Sequence, residues 1–487
     1  MFKVVYVYRY GTCTVLTVPV LYRYARDGMN GDADGSAATL PRDALVDGST
    51  SSSGSAIIDA ANDARRYVLH RERHLRAALG TYRFFVYAGA PFDAMSSELL
   101  LPGYNSTYVG VPGVGIEPSK PLFAEYTAPV WIHRALLSDS SRTLNPDEAD
   151  LFFVPLYLAI SESQPSHTAR LTAWLSALQQ SPHFQRSTGT DHIIAPQVIS
   201  PQVAATSGLA QVRKLLELGF TGAFEVNNEW TAGWSWNRTI VMPYVANPFL
   251  TPIEAANASM LEYVGRKRNI SIYYVASLRH LSDGLAGCNR AKLRDLESYP
   301  NAYIRVAKRS YHLVPQDEYA SGVQNGTFCP LTCGDTPTSR RTFDAFAAGC
   351  VPIIVGRRLF GLCEPPCRNK GWFTVVGPSF PHLPFSGLWM NWSVFPMIEE
   401  KELYDQKSSQ GVRDLFRGSV IGFGGEDSAL RARAYMYTQL RSMIYGWGDY
   451  RTSTAFGDAS RRMMEAALLR LRRVDVEALP TSKPMIV

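Results

Sequence analysis

The sequence predicts an α/β protein built as two Rossmann-like domains facing a cleft, with helices added at the C-terminus. Three observations point there. Short apolar runs alternate with helical patterns from about residue 82 to 250, and a second such series begins at Ile270; alternation of this kind makes βαβ units and parallel sheets. The chain has 487 residues, too many for one hydrophobic core, and 46% of them are apolar, enough to fill two. The run from Asn325 to Val355 reads as a loop, an amphipathic helix and a buried strand.

Residues 1–26 are ambiguous. Val4 to Tyr22 is rather apolar, but Arg9, Gly11 and Pro19 interrupt it, and a spanning helix wants about 20 apolar residues. The stretch reads either as a weak signal-anchor or, through Lys3-Val4-Val5-Tyr6-Val7-Tyr8, as a strand. Residues 27–63 have the Gly, Ser, Ala and Asp content of a flexible stem, and Ala60 to Leu79 reads as a basic amphipathic helix. An N-terminal Rossmann-like domain is expected over 64–250, with strands at 84–87, 151–156, 193–195 and 240–243. A second is expected over 270–425, with strands at 270–275, 303–306, 351–355 and 373–376. Residues 426–475 form amphipathic helices expected to return to the first domain.

The segment richest in chemistry lies in the second half. Gly334 to Ser339 supplies a loop and a helix start, and Pro337 suits a first turn, where no backbone N–H is needed. Phe343, Phe346 and Ala347 share one helical face, and Gly349 ends the helix. Free N–H groups, the hydroxyls of Thr336, Thr338 and Ser339, and Arg340 and Arg341 make a ready anion site. The plainer alternative for a single arginine such as Arg341 is a surface ion pair.

These residues also carry a resemblance. Phe328-Cys329, Gly334-Asp335-Thr336-Pro337-Thr338-Ser339-Arg340-Arg341, Phe343-Asp344-Ala345 and Gly349-Cys350-Val351-Pro352 resemble the nucleotide-sugar signature of the exostosin family, glycosyltransferase family 47. Tyr82 to Tyr87, Arg142 to Tyr157, Gly189 to His192, Ile240 to Tyr244, and His382 to Phe385 with Asn391 to Phe395 are similar to other blocks of that family in the same order. The resemblance covers roughly residues 82 to 450.

The resemblance implies a GT-B architecture and an inverting transfer of sugar from a nucleotide-sugar donor, in all expectation UDP-linked, to a glycan or glycoprotein acceptor. Arg279 and Arg290, with Gly334, Asp335, Thr336, Thr338, Ser339, Arg340 and Arg341, would meet the diphosphate, and Asp344 would accept from the ribose hydroxyls. A surface salt bridge is the plainer role for Asp344. No cofactor is expected, and no metal: the only Asp-x-Asp triplet near either domain, Asp32-Ala33-Asp34, lies in the stem. Inversion needs a general base on the acceptor hydroxyl, for which Glu162, Asp191 and His192 are candidates. The chain departs from the family after His192, at Cys333 and at Ser386. Those departures keep open an alternative, an inactive member acting as a luminal glycan-binding protein or as partner to another glycosyltransferase. Trp230, Trp234 and Trp236 could stack on a sugar or simply pack a turn.

Six Asn-X-Ser/Thr sequons, at Asn105, Asn237, Asn257, Asn269, Asn325 and Asn391, among fifteen asparagines favour a secretory lumen, and the family is anchored as type II Golgi proteins. Asn269 and Asn325 sit beside strands or the nucleotide loop, so the other four are the expected glycan sites. Of seven cysteines, Cys329 and Cys333 with Cys363 and Cys367 suggest a disulfide clamp between two loops more than zinc, and Cys350 reads as a buried thiol. The formal charge of +6 without a basic block excludes nucleic acid as the natural partner.

Overall fold

A computed structural model describes residues 2–9, 12–19, 54–92, 128–156, 167–195, 219–223, 238–247, 250, 259–277, 290–307, 314–332, 339–356, 383–445, 458–476 and 479. The chain falls into two compact units, Met1–Ser51 and Ser52–Val487. In the first, β1 (Phe2–Arg9) pairs antiparallel with β2 (Thr12–Pro19), Phe2 opposite Pro19 and Arg9 opposite Thr12. Within the stretch read as a signal-anchor or a strand, the described residues are thus two paired strands. Their valines, threonines and tyrosines suit a pleated ribbon. Among the described residues no helix is long and apolar enough to cross a membrane.

The second unit opens with α1 (Gly54–Leu79), which starts inside the stretch read as stem. Ile57, Ala60, Ala61, Ala64, Val68, Leu75 and Leu79 form a buried stripe at helical spacing. The stripe begins among Gly and Ser residues, so composition alone hid its first turns.

Six parallel strands follow: β3 (Phe84–Val86), β4 (Arg142–Thr143), β5 (Leu151–Val154), β6 (His192–Ile194), β7 (Phe220–Ala223) and β8 (Thr239–Val241). Their order is β4-β3-β5-β6-β7-β8. Helices α2 (Ala128–Leu137), α3 (His167–Gln180) and α4 (Pro182–Ser187) lie in the crossovers.

After α5 (Met260–Gly265) comes a second parallel sheet. It contains β9 (Ile270–Ser277), β10 (Ala302–Ala307), β11 (Gly326–Leu331), β12 (Val351–Gly356) and β13 (Met397–Glu399), in the order β10-β9-β11-β12-β13. Helix α6 (Gln316–Asn325) precedes β11, and α7 (Arg340–Ala348) joins β11 to β12. Then come α8 (Glu400–Asp405), α9 (Ser409–Gly422), α10 (Gly425–Met443) and α11 (Ala459–Leu471). Helix α10 packs on α7, α5 and β12 of the second half, whereas α11 packs on α2 and β8 of the first. Helix α1 packs on α10, α5 and α11. The expected strand at 373–376 lies outside the described residues.

Strand β11 escaped the sequence reading, in which the Asn325–Val355 run opens with a loop. It carries Pro330 yet sits between β9 and β12, where proline is rare because it gives no N–H to the ladder. The β9–β11 pairing runs through Gly326–Ile270 and Phe328–Ile272 and stops there. The next rung would fall at Pro330, which has no N–H to give, and the ladder ends before the strands do. Cys350 is not a free thiol: it is bonded to Cys329 of β11, with Cα atoms 5.8 Å apart. The expected loop-to-loop clamp through Cys329 is therefore replaced by a bond that closes the β11–α7 connection, two segments the parallel sheet lays side by side.

Close packing is severe at Gly322 in α6. A Cβ there would lie 2.2 Å from the Tyr273 ring, which is itself buried and stacked on Tyr303 at 5.3 Å. Alanine gains about 1 kcal/mol of helix propensity over glycine, but overpacking costs about 1–3 kcal/mol. Gly322→Ala is therefore expected to lower stability in urea unfolding, and a second change, Tyr273→Leu, to recover part of the loss; a more stable Gly322→Ala protein would contradict this packing.

Candidate functional site

In an open parallel sheet, ligands bind outside the carboxyl ends of the strands, where the strand order reverses. The chain runs from β9 out to β10 and returns to β11 on the other side of β9, so the reversal lies between β9 and β11. These are the strands whose ladder ends at Phe328 and Ile272.

Three of the arginines singled out in the sequence are carried to this edge. Arg290 opens a short 3-10 helix (Arg290–Leu296), and its Nη1 donates to the carbonyl of Ser277, the last residue of β9, at 2.8 Å. Arg340 and Arg341 form the first turn of α7, which follows β11. The Arg341 guanidinium stands over the Tyr274 ring at 5.8 Å, a cation–π arrangement. The Tyr274 hydroxyl is hydrogen-bonded to Thr332 Oγ1 at 2.8 Å, just past the end of β11. Tyr273, Tyr274, Pro330, Leu331 and Arg341 line a small cavity at this edge. Ser339 is the N-cap of α7, but its hydroxyl makes no capping bond and, among the described residues, has no hydrogen-bond partner although its oxygen is buried. Gly334, Asp335, Thr336, Thr338 and Arg279 lie outside the described residues, as do Glu162 and Trp230, Trp234 and Trp236.

Asp344 differs from both roles expected of it. Its side chain is 1% exposed, so it is neither a surface ion pair nor an open acceptor. Oδ1 accepts from the backbone N–H of Asn247 at 2.7 Å, and Oδ2 accepts from the Tyr319 hydroxyl at 2.9 Å. Arg340 Nε stands 3.7 Å from Oδ2. Burial pushes the carboxyl pKa up, while Arg340, the Asn247 N–H and the Tyr319 hydroxyl oppose that rise.

Asp191 and His192 stand elsewhere. His192 is the first residue of β6, level with Phe152, the second residue of β5, and thus on the side away from the carboxyl ends. Its Nδ1 is 2.7 Å from Asp191 Oδ1, and its Nε2 is 2.9 Å from the Tyr87 hydroxyl. The ring is stacked on Phe152 at 4.7 Å and is wholly buried. Burial lowers its pKa, with Asp191 opposing. Burial would raise the Asp191 carboxyl, but bonds from His192 and Ser187, the latter at 2.5 Å, outweigh it and hold the group below its usual value. With both ring nitrogens engaged and the pair under the sheet, this is a core hydrogen-bond cluster. The sequence reading of the pair as a base fails because a family block marks position along the chain, not the end of the strand.

Tyr274, Thr332, Asn247, Gln316 and Tyr319 were missed. Only Tyr274 had a local signal, the aromatic pair ahead of a strand end. Asn247 is 97 positions from Asp344 and has none. Among the described residues no group of three or more His, Cys, Asp or Glu converges as metal ligands.

A histidine held neutral by burial binds its proton more weakly folded than unfolded, so its stabilisation is present above its ordinary pKa of 6.5 and is lost as pH falls below it. Burial likewise depresses His133, to about 4. The thermal midpoint is expected to fall between pH 7 and 5. His192→Phe keeps the stacking but takes one partner each from Asp191 and Tyr87, which retain Ser187 and Ser181, so it should cost about 1–2 kcal/mol at pH 7 and show a shallower pH slope; an unchanged midpoint would leave His192 free for other work.

Several known proteins are similar to this chain. The exostosin GT47 domain matches residues 85–404. A probable glucuronoxylan glucuronosyltransferase of Arabidopsis thaliana is 25% identical over 243 residues, 47% of this chain and 50% of that protein. A probable glucuronosyltransferase of Oryza sativa subsp. japonica is 25% identical over 269 residues, 53% of this chain and 60% of that protein. A probable beta-1,4-xylosyltransferase of Arabidopsis thaliana is 23% identical over 241 residues, 47% of this chain and 56% of that protein. The chain spans about half the length of the curated relatives it matches. Since the domain match covers well over half of the 487 residues and includes every element of the arginine-bearing edge, the chain belongs to the exostosin family, glycosyltransferase family 47.

Proposed function

We propose that this chain is an inverting glycosyltransferase that moves a sugar from a UDP-linked donor to a glycan or glycoprotein acceptor in the Golgi lumen. The observation that carries the reading is the convergence at one sheet edge of Arg290, Arg341 and the N-terminus of α7, beside the strand reversal between β9 and β11. A nucleoside diphosphate gains negative charge as its bond to the sugar breaks, and guanidinium and helix N–H groups already in place stabilise that charge. The donor half then works without a metal. The relatives' named activities, glucuronosyl and xylosyl transfer, make UDP-glucuronate and UDP-xylose the first donors to test.

Inversion takes one displacement. The acceptor hydroxyl oxygen bonds to the anomeric carbon, the bond from that carbon to the diphosphate oxygen breaks, and the hydroxyl proton passes to a general base. Glu162 is our assignment for the base. It follows β5, and the first sheet reverses its order between β3 and β5.

The sequons and the Cys329–Cys350 disulfide fit an oxidising lumen. The described sequons divide differently from the sequence expectation. Asn269 is exposed, whereas Asn391 donates from Nδ2 to the Tyr67 hydroxyl at 2.9 Å and accepts from the Ser393 N–H.

Two measurements follow. In calorimetry, UDP should bind the wild type equally well with and without chelator, and Arg290→Ala should weaken it. Losing one charge-assisted phosphate bond costs on the order of 2–3 kcal/mol, roughly a 30- to 150-fold loss. Chelator-abolished binding restored by manganese would overturn the metal-free reading, and unaltered binding by Arg290→Ala with a collapsed thermal midpoint would make the arginine structural. In peptide mapping of secreted protein, glycan should be found on Asn269 and not on Asn391; the reverse pattern would contradict the bonding of Asn391.

A further inference from the structure

The buried carboxylate of Asp344 has a task beyond the donor reading, although it rests on that reading for its consequence. The segment that leaves β8, residues 242–247, is buried along its length, with Met242, Tyr244 and Ala246 each no more than 3% exposed. It ends at Asn247, itself 0% exposed, which is held twice by the second half of the chain. Its backbone N–H donates to Asp344 on α7, and its Nδ2 donates to Gln316 Oε1 on α6 at 2.7 Å. The Tyr244 ring lies 5.8 Å from Phe343, the neighbour of Asp344. The Tyr319 hydroxyl, also from α6, fills the other oxygen, and Arg340 one turn back on α7 faces that oxygen too.

A carboxylate has about four acceptor sites. Here a main-chain N–H, a phenol and a guanidinium already surround it, and 1% of the side chain is open. A ribose would have to displace one of these donors and leave it buried without a partner, which is costly. The group is instead placed where three things must be held together: the segment from the six-stranded sheet, helix α6 and the arginine-bearing turn of α7.

We infer that Asp344 is a positioning residue, one that fixes Arg340 and the start of α7 against the segment from the six-stranded sheet and takes no hydrogen bond from the donor's ribose. The effect on donor binding then passes through the arginine turn to the phosphates. Removing the carboxylate charge should weaken any ligand that carries the diphosphate, whatever hydroxyls its sugar keeps.

The test combines protein and ligand changes. UDP, 2′-deoxy-UDP, 3′-deoxy-UDP and uridine are titrated into the wild type, Asp344→Asn and Tyr319→Phe by calorimetry. In parallel, hydrogen exchange at the Asn247 amide is followed in the unliganded proteins. Asp344→Asn should weaken UDP about tenfold and weaken both deoxy ligands by the same factor, with less effect on uridine; Asn247 should exchange at least tenfold faster. Tyr319→Phe, which keeps the charge, should shift all of these in the same direction by less, and it serves if Asp344→Asn does not fold. A loss from Asp344→Asn that vanishes with either deoxy ligand would place a ribose hydroxyl on the carboxylate and overturn the inference. Equal protection of Asn247 in wild type and both variants would overturn it as well. If the wild type takes up no UDP, the donor reading fails, and the exchange measurement still decides whether Asp344 holds the segment.

Discussion

Arg268 sets the frame on which the candidate site depends. Its guanidinium donates to the carbonyls of Gln324, at the end of α6, of Gly326, at the start of β11, and of Ala348, at the end of α7. The carboxyl ends of two helices carry unsatisfied carbonyls and partial negative charge, and one buried cation serves both. Burial lowers its pKa to about 9, which still leaves it charged at neutral pH. Gly349 belongs to the same arrangement: it has φ of 71° in the left-handed region, and a Cβ there would stand 2.7 Å from Arg268 Nη2. The Cys329–Cys350 disulfide adds a covalent tie one residue on. With its carboxyl end fixed in this way, α7 must point its amino end, and with it Arg340 and Arg341, at the carboxyl edge of β11.

The chain uses arginine as a staple throughout, and that changes how its charge is read. Arg470 donates to the Thr239 carbonyl, Arg433 to Val264, Arg71 to Gly387, Leu388 and Val476, and Arg472 to Leu79. Burial pulls Arg470 and Arg433 down to about 10 each. Arg461 pairs with Asp139 at 2.8 Å, joining α11 to the turn after α2. Such residues add to the basic content while their guanidinium groups are spent on carbonyls and a carboxylate of the chain itself. A net charge of +6 is therefore a poor guide to the donor site; position at a strand's carboxyl end is the better one, and Arg290 and Arg341 qualify by that criterion where Arg268 does not.

What was legible in the sequence was what is local in it. Strands such as β5 and β12 announced themselves through unbroken apolar, β-branched or aromatic runs, and the α7 signature lay within a few consecutive residues. Strand β11 was hidden because Pro330 argues against a central strand, and the two-residue β4 is too short to show a pattern. Helix α1 was read late because its apolar stripe starts in a Gly/Ser-rich stretch. The Asn247–Asp344 bond and the Cys329–Cys350 pairing join residues that only the tertiary fold brings together. The same holds for the burial of His192, since a histidine in an apolar strand and one at a cleft have the same letters around them.

The first sheet obeys the geometric rule that organises the second, and this bears on the catalytic base. In a parallel sheet every strand delivers its following residues to one edge, so groups able to reach a ligand come just after strands. His192 opens its strand and Asp191 precedes it; their bonds to Tyr87, Ser187 and each other bind β3, α4 and β6 into one core cluster. Of the residues after strands in this sheet, those following β8 are committed to the lock on Asp344. The reversal of strand order in this sheet lies between β3 and β5. Glu162, which we propose as the base, follows β5 in the chain. In the second sheet the same rule brings charge from two segments that follow strands, Arg290 after β9 and the first turn of α7 after β11.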